Sequence, residues 1–198
     1  MSPFYLTLTL AEHAVFVATL YVLFSASEWF VHRYLMHGDP KHAIARNHLS
    51  HHLRTRPDMS LTTREDDGLL FTWPSSLAIL VAGLALAFAL KLALFGRVSL
   101  WFVFLCVAIF GAYQSSVWNT IHPRVHGVDG RVTMTWREGI PGWSGWTAAF
   151  SRVPVGRDKT LDAWLLENHA KHHAVKGARK GNYNVTLPLA DFLFGTYN

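Results

Sequence analysis

The sequence predicts an all-α integral membrane protein, with about three transmembrane helices and a helical cap on the cytoplasmic side. Three observations carry this expectation. Hydrophobic residues make up 51% of the 198 positions against 16% charged, with a mean hydropathy of +0.17, and they lie in long blocks instead of the short periodic faces of a soluble core. Two of the blocks hold no acidic or basic residue over a bilayer-crossing length. Ten of the 12 histidines cluster beyond the ends of the blocks, in the polar remainder.

A spanning helix needs about 20 apolar residues, because ~30 Å of hydrocarbon is crossed at ~1.5 Å per residue. The stretches 69–90 and 98–118 meet this need, and the link between them, with Lys91, Gly96 and Arg97, makes them a hairpin. The first span begins near Phe4 or near Ala14 and runs to about Phe30. Glu12 and His13 are costly at mid-bilayer, so the expected span is 14–30, with both residues at the outer interface and residues 1–11 in the interfacial layer. No basic stretch followed by a small-residue cleavage site marks a removable signal peptide.

Lysine and arginine favour the cytoplasmic side of a membrane. All 18 except Lys91 and Arg97 fall in residues 31–68 and 119–198, which are therefore expected to be cytoplasmic. This bias, with attraction to anionic headgroups, accounts for the net charge of +5 and the pI near 9.6. The sequence carries no nucleic-acid motif, and no nucleic-acid partner is expected. The length fits one domain, residues 1–198, and the lone Cys106 leaves neither a disulfide framework nor a thiolate cluster. Residues 127–154, rich in Gly, Pro, Trp and Ser, read as loop and interfacial structure. Thr160 to Ala174 reads as a helix that Gly177 stops.

The histidines form four clusters: His32 and His37 in HRYLMH, His48, His51 and His52 in HLSHH, His122 and His126 in HPRVH, and His169, His172 and His173 in HAKHH. At this histidine content a given HxxHH pattern is expected by chance about 0.04 times in the chain, and it occurs twice. Positions i, i+3 and i+4 share a helix face, so each HxxHH is expected to aim three imidazoles at one place. HPRVH has the i, i+4 relation, with Pro123 suggesting that a helix starts at His122. The HxxxxH spacing of His32 and His37 suits one α-helical face poorly and fits better where the helix ends. All four clusters fall on the side assigned as cytoplasmic. Neutral imidazoles suit first-row transition metals; ten exceed the needs of one ion, and two ions with up to five each keep a position open for oxygen. The donor set thus predicts a di-iron site in the cap, in which zinc can replace iron. Glu28, Glu167, Asn168 and Asp191 are candidate hydrogen-bond partners that fix the imidazole tautomers. His13 and His42 join no cluster.

These motifs resemble the membrane-bound fatty acid hydroxylase superfamily, which includes fatty acyl and sphingolipid hydroxylases, sterol desaturases and carotene hydroxylases. SEWFVHRYLMHG, HLSHH, HPRVHG and NHAKHHAVKGARKGNYNVTLPLADFLFGTY stand in the family's order, covering about Glu28 to Tyr197. The resemblance implies a cytosol-facing dinuclear iron site ligated by the same ten histidines, O2 as co-substrate, and electrons from a separate ferredoxin- or cytochrome-type reductase chain, since no haem-binding donor domain is fused here. HRYLMHG with HLSHH is also similar to compact bacterial carotene hydroxylases, but HPRVH departs from their usual HxxxxH, and the LPLADFLFGTY ending is closer to the fatty acyl and sterol branch.

The expected activity is hydroxylation of an unactivated C–H bond in a lipid acyl chain, at a site facing the cytoplasm of a bacterial inner membrane. Arg33, Arg46, Arg54 or Arg56 would meet an acidic headgroup. A carotenoid ring hydroxylase or a sterol or lipid desaturase uses the same ligands. A histidine-rich metal transporter is a remoter reading, because it would place ligands at mid-span.

Overall fold

Long apolar runs without proline beyond the first turn set the frame. The computed structural model describes residues 3–62, 73–97, 99–127, 152–155, 157–174, 180–186 and 188–198. Its elements are α1 (Pro3–Phe30), α2 (Ala43–Arg54), α3 (Trp73–Phe95), α4 (Leu100–Ser116), α5 (His122–Val125), β1 (Pro154–Val155), β2 (Lys159–Thr160), α6 (Leu161–Ala174) and α7 (Leu189–Leu193). The expectations for residues 128–151 and Gly177 lie outside the described residues.

Helices α1, α3 and α4 pack around Phe16, Leu20, Ala87, Val103 and Val107, with Phe24, Leu80 and Leu84 against them. Gly83 permits the close approach: a Cβ there would stand 3.3 Å from the Phe24 ring, and small residues let apolar helices approach in this way. The outward faces are equally apolar, with Trp101 83%, Leu100 66% and Val81 57% exposed. Among the described residues two helices are long and apolar enough to cross a membrane, Thr9–Met36 and Leu77–Phe95, with only 22% and 17% of their most apolar windows buried. A core helix of a soluble protein would be mostly buried. The third expected span appears as a shorter apolar helix, Leu100–Gln114.

The first helix is longer than the expected 14–30 and holds Glu12 and His13 within it. Glu12 is accommodated by an ion pair with Arg97 at 2.6 Å, which ties α1 to the turn between α3 and α4. His13 Nδ1 reaches the Thr9 carbonyl at 2.6 Å, and its ring packs edge-on against Phe102. Lys91 belongs to α3 instead of the link. It is buried, with its ammonium 4.2 Å from the centre of the Phe95 ring, an attraction between cation and ring face.

At the other end, α1 runs on into a π-helical segment, Val31–Met36, and α4 into a second, Val117–Ile121. Beyond them, α6 and the C-terminal tail pack against the second segment around Val117, Trp118, Ile121, Leu165 and Val185, and β1 pairs antiparallel with β2 ahead of α6. The helix expected over 160–174 is found at Leu161–Ala174.

The C-terminal tail folds back onto α1 through buried polar contacts. The Ala190 N–H donates to Ser25 Oγ at 2.9 Å, and the Trp29 indole N–H to Thr196 Oγ1 at 2.8 Å. Asp191, fully buried, accepts from the Tyr183 N–H at 3.0 Å, the Asn184 N–H at 2.6 Å and the Thr196 hydroxyl at 2.7 Å. Each buried donor left without an acceptor costs about 1–3 kcal/mol. Asp191→Ala is therefore expected to lower stability by several kcal/mol, and Asp191→Asn, which keeps one acceptor oxygen, by less; thermal denaturation in detergent reads both.

Candidate metal centre

The ten clustered histidines converge at the end of the bundle away from Glu12 and Arg97. His32, His37, His48, His52 and His172 form one group, and His51, His126, His169 and His173 a second; within each, one ring nitrogen from every residue lies within 4.8 Å of all the others, so each group could hold a metal ion. His122 adjoins the second group, its Nε2 2.8 Å from that of His169. The groups touch where the His52 and His173 rings stack at 4.0 Å.

Neither HxxHH aims its three imidazoles at one place, as the sequence had suggested. In α2 the first and third histidines, His48 and His52, enter the first group and His51 the second. In α6 the roles are reversed: His169 and His173 enter the second group and His172 the first. The cause is helical phase. Residues four apart differ by only about 40° around the axis, whereas neighbours differ by about 100°, so the middle histidine diverges and each helix serves both groups.

The HxxxxH pair is explained by the first π-helical segment. The His37 N–H donates to the His32 carbonyl at 3.0 Å, an i+5 to i bond that brings residues five apart onto one face. The second segment ends where α5 begins, at His122, as Pro123 had suggested. His122 is itself helical, with φ −57° and ψ −46°, although a following proline disfavours that conformation.

Three imidazoles are oriented by main-chain carbonyls. His32 Nδ1 donates to the Tyr183 carbonyl, His172 Nδ1 to that of Gly181 at 2.8 Å, and His126 Nδ1 to that of Met59 at 2.8 Å. A carbonyl oxygen only accepts, so Nδ1 carries the proton and Nε2 presents a lone pair. His32 and His172 thus aim two lone pairs into the first group, where neighbouring Nε2 atoms lie 3.0–3.1 Å apart. Facing lone pairs repel unless a cation lies among them. Two ligands at right angles around an ion ~2.1 Å away stand about 3.0 Å apart, so the donor set fits a transition-metal ion.

The partners expected from sequence stand elsewhere. Glu167 is at the surface, paired with Lys159 and Lys171. Asn168 Nδ2 donates to the Asn184 carbonyl at 2.9 Å. Glu28 accepts from the Thr186 N–H at 3.0 Å and from Asn184 Nδ2 at 3.1 Å. With Asp191, these residues hold the strand of chain whose carbonyls orient His32 and His172. Sequence reasoning missed Gly181, Tyr183 and Met59, because every residue carries a carbonyl. One local signal existed at Gly181, where an added Cβ would collide with the Thr196 carbonyl. His13 and His42 remain outside both groups, His42 at the start of α2.

Comparison with protein-family models, curated proteins and solved structures finds no match to this chain.

Burial, reinforced by neighbouring imidazoles, pushes His37 and His173 down to about 2 and holds His48, His169 and His172 well below the usual imidazole range. The rings stay neutral, as metal ligation needs. A histidine whose folded value is depressed favours the folded state fully above the unfolded value near 6.5, and that contribution is lost as pH falls below it. The metal-free protein is therefore expected to lose about 1.4 kcal/mol per such imidazole between neutral pH and pH 5.5, measured as a falling denaturation temperature. For iron-loaded protein, His172→Ala and His169→Ala should each remove about half of the bound metal, since each strips one group and spares the other; elemental analysis by mass spectrometry checks the ratio.

Proposed function

We propose that the protein is a membrane-bound non-haem di-iron oxygenase of the fatty acid hydroxylase type, which hydroxylates an unactivated C–H bond in a lipid acyl chain. The observation that carries this reading is the pair of adjoining all-imidazole groups at one end of a strongly apolar helical bundle. Nitrogen-only donor sets of four or five exclude magnesium and calcium as preferred ions and leave positions free for oxygen. When bound, a reduced pair of irons supplies the power to activate O2 against a C–H bond.

The chain's own residues hold and shield that chemistry. The carbonyls of Tyr183, Gly181 and Met59 fix three imidazoles in the ligating tautomer. Trp118, buried and 5.0 Å from the His122 ring centre, with Ile121 and Leu165 forms an apolar floor that excludes water. Arg33 lies over the Trp29, Tyr34 and Tyr183 rings, beside the histidines and able to meet an acidic headgroup.

In this reading Leu100–Gln114, extended by its neighbours, is a third span. Both histidine groups face the cytoplasm of a bacterial inner membrane, where a ferredoxin- or cytochrome-type donor delivers electrons. Zinc would occupy the same ligands in purified material. Convergence of the ligands at one end of the bundle counts against a transporter, which needs them along the path.

The test is expression with iron in a bacterium and mass spectrometry of the extracted lipids and pigments, against a His172→Ala control. A histidine-dependent gain of one oxygen on an acyl lipid is expected; on a pigment it would assign a carotenoid instead. Loss of two hydrogens would replace hydroxylation with desaturation at the same site. An unchanged profile from iron-loaded, reductant-supplied protein would overturn the proposal.

A further inference from the structure

The C-terminal tail presents its largest apolar side chains outward. Phe192, Leu193 and Phe194 are 57%, 62% and 52% exposed, although the same short stretch is fastened to α1 on its other side. The fastening points are Ser25, Glu28 and Trp29, all inside the helix Thr9–Met36.

Depth along that helix can be counted. The Glu12–Arg97 ion pair marks a polar boundary at one end, and ~30 Å of hydrocarbon occupies about 20 helical residues. The other boundary then falls near Arg33, whose guanidinium stacks 4.8 Å over the Trp29 ring, an arrangement suited to the headgroup level. At ~1.5 Å per residue, Ser25 lies about 12 Å and Trp29 about 6 Å inside that boundary. The tail attached to them is at the same depth.

Non-helical backbone survives at membrane depth only where protein groups satisfy it. Several backbone groups of the described tail meet that condition. The N–H groups of Tyr183, Asn184, Thr186, Ala190 and Asp191 donate to side-chain oxygens of Asp191, Glu28, Ser25 and Asn184. The Asn184 carbonyl accepts from Asn168 Nδ2, and the Thr186 carbonyl from the Tyr113 hydroxyl at 2.9 Å. A loop in water needs no such set of buried side-chain partners.

We propose that residues 183–186 and 188–194 form a re-entrant element that dips into the leaflet at the histidine end of the bundle, with Phe192, Leu193 and Phe194 against lipid acyl chains. The ligand is the bilayer itself. Phe194 also borders a shallow apolar groove of about 410 Å3 along α1, with Leu23, Ser27, Phe30 and Val31. The inference rests on Thr9–Met36 spanning the membrane but not on the metals or the reaction.

The test places single cysteines, in a Cys106→Ala background, at Leu193, at Phe192, at Val22 in mid-helix and at Asp158 in the exposed β1–β2 turn. Each is labelled with a polarity-sensitive fluorophore, and the full-length protein is placed in nanodiscs of phosphatidylcholine and phosphatidylglycerol carrying brominated acyl chains. Bromine is expected to quench the labels at Leu193, Phe192 and Val22 by about twofold or more and to leave Asp158 unchanged. Quenching at Val22 without quenching at either tail position would overturn the re-entrant element while the span stands. No quenching at Val22 would overturn both.

Discussion

Imidazole lone pairs forced together in a buried site set the terms for everything around them. Once Nδ1 of His32 and His172 donates to the Tyr183 and Gly181 carbonyls, the Nε2 atoms can only accept, and burial keeps His172 from protonating. The repulsion must be held by surrounding structure or relieved by a cation. Each neighbouring element can be traced to this demand. The first π-helical segment brings His37 over His32. Helices α2 and α6 each divide three histidines between two groups, and α5 starts at His122, which adjoins the second. Asp191 and Asn184 fasten the tail that supplies the two carbonyls.

The tail thus has two faces with different physical duties. Its inner side is polar and hydrogen-bonded to α1 and α6, because a carbonyl that drifts by an ångström no longer fixes its imidazole. Its outer side is aromatic and exposed. Left-handed conformations at Met59 and Asn182 fall in or beside the two turns that supply the orienting carbonyls. Asparagine tolerates this region, whereas methionine does so at a cost. At Met59 the carbonyl of that same residue accepts from His126 Nδ1.

Much of this was legible in sequence. Uncharged runs such as LAILVAGLALAFAL leave few alternatives to long helices with apolar outer faces, and repeated HxxHH has no common structural explanation other than ligation. Thr160–Ala174 was bounded almost to the residue because its neighbours lack helical periodicity. Other features depend on phase and on partners distant in the chain. The division of each HxxHH follows from which way α2 and α6 face one another, and nothing local encodes that. HxxxxH looked unfavourable because a period of 3.6 residues was assumed, and the π-helical turn changes the period at that one place. Glu28 and Asp191 stand out in sequence as candidate partners of the imidazoles, but their oxygens serve backbone N–H groups 158 residues away in one case and seven or eight in the other. Glu167 stood two positions before His169 in sequence and turned to solvent, since helical positions two apart diverge by about 200°.

The proposed chemistry and the proposed membrane geometry constrain each other. A hydroxylase acting on a lipid needs its metals at the level where an acyl chain can bend out of the bilayer, because lifting the chain into water exposes apolar surface at about 25 cal/mol per Å2. His32 follows Val31, which lines the groove along α1, and the Tyr183 ring bridges Trp29 to the first histidine group with centroid separations of 5.7–6.2 Å. A tail held below the boundary would therefore do more than anchor the cap. It would place an apolar wall beside the ligands at the depth of the substrate, so that a chain could reach the site while remaining in apolar surroundings.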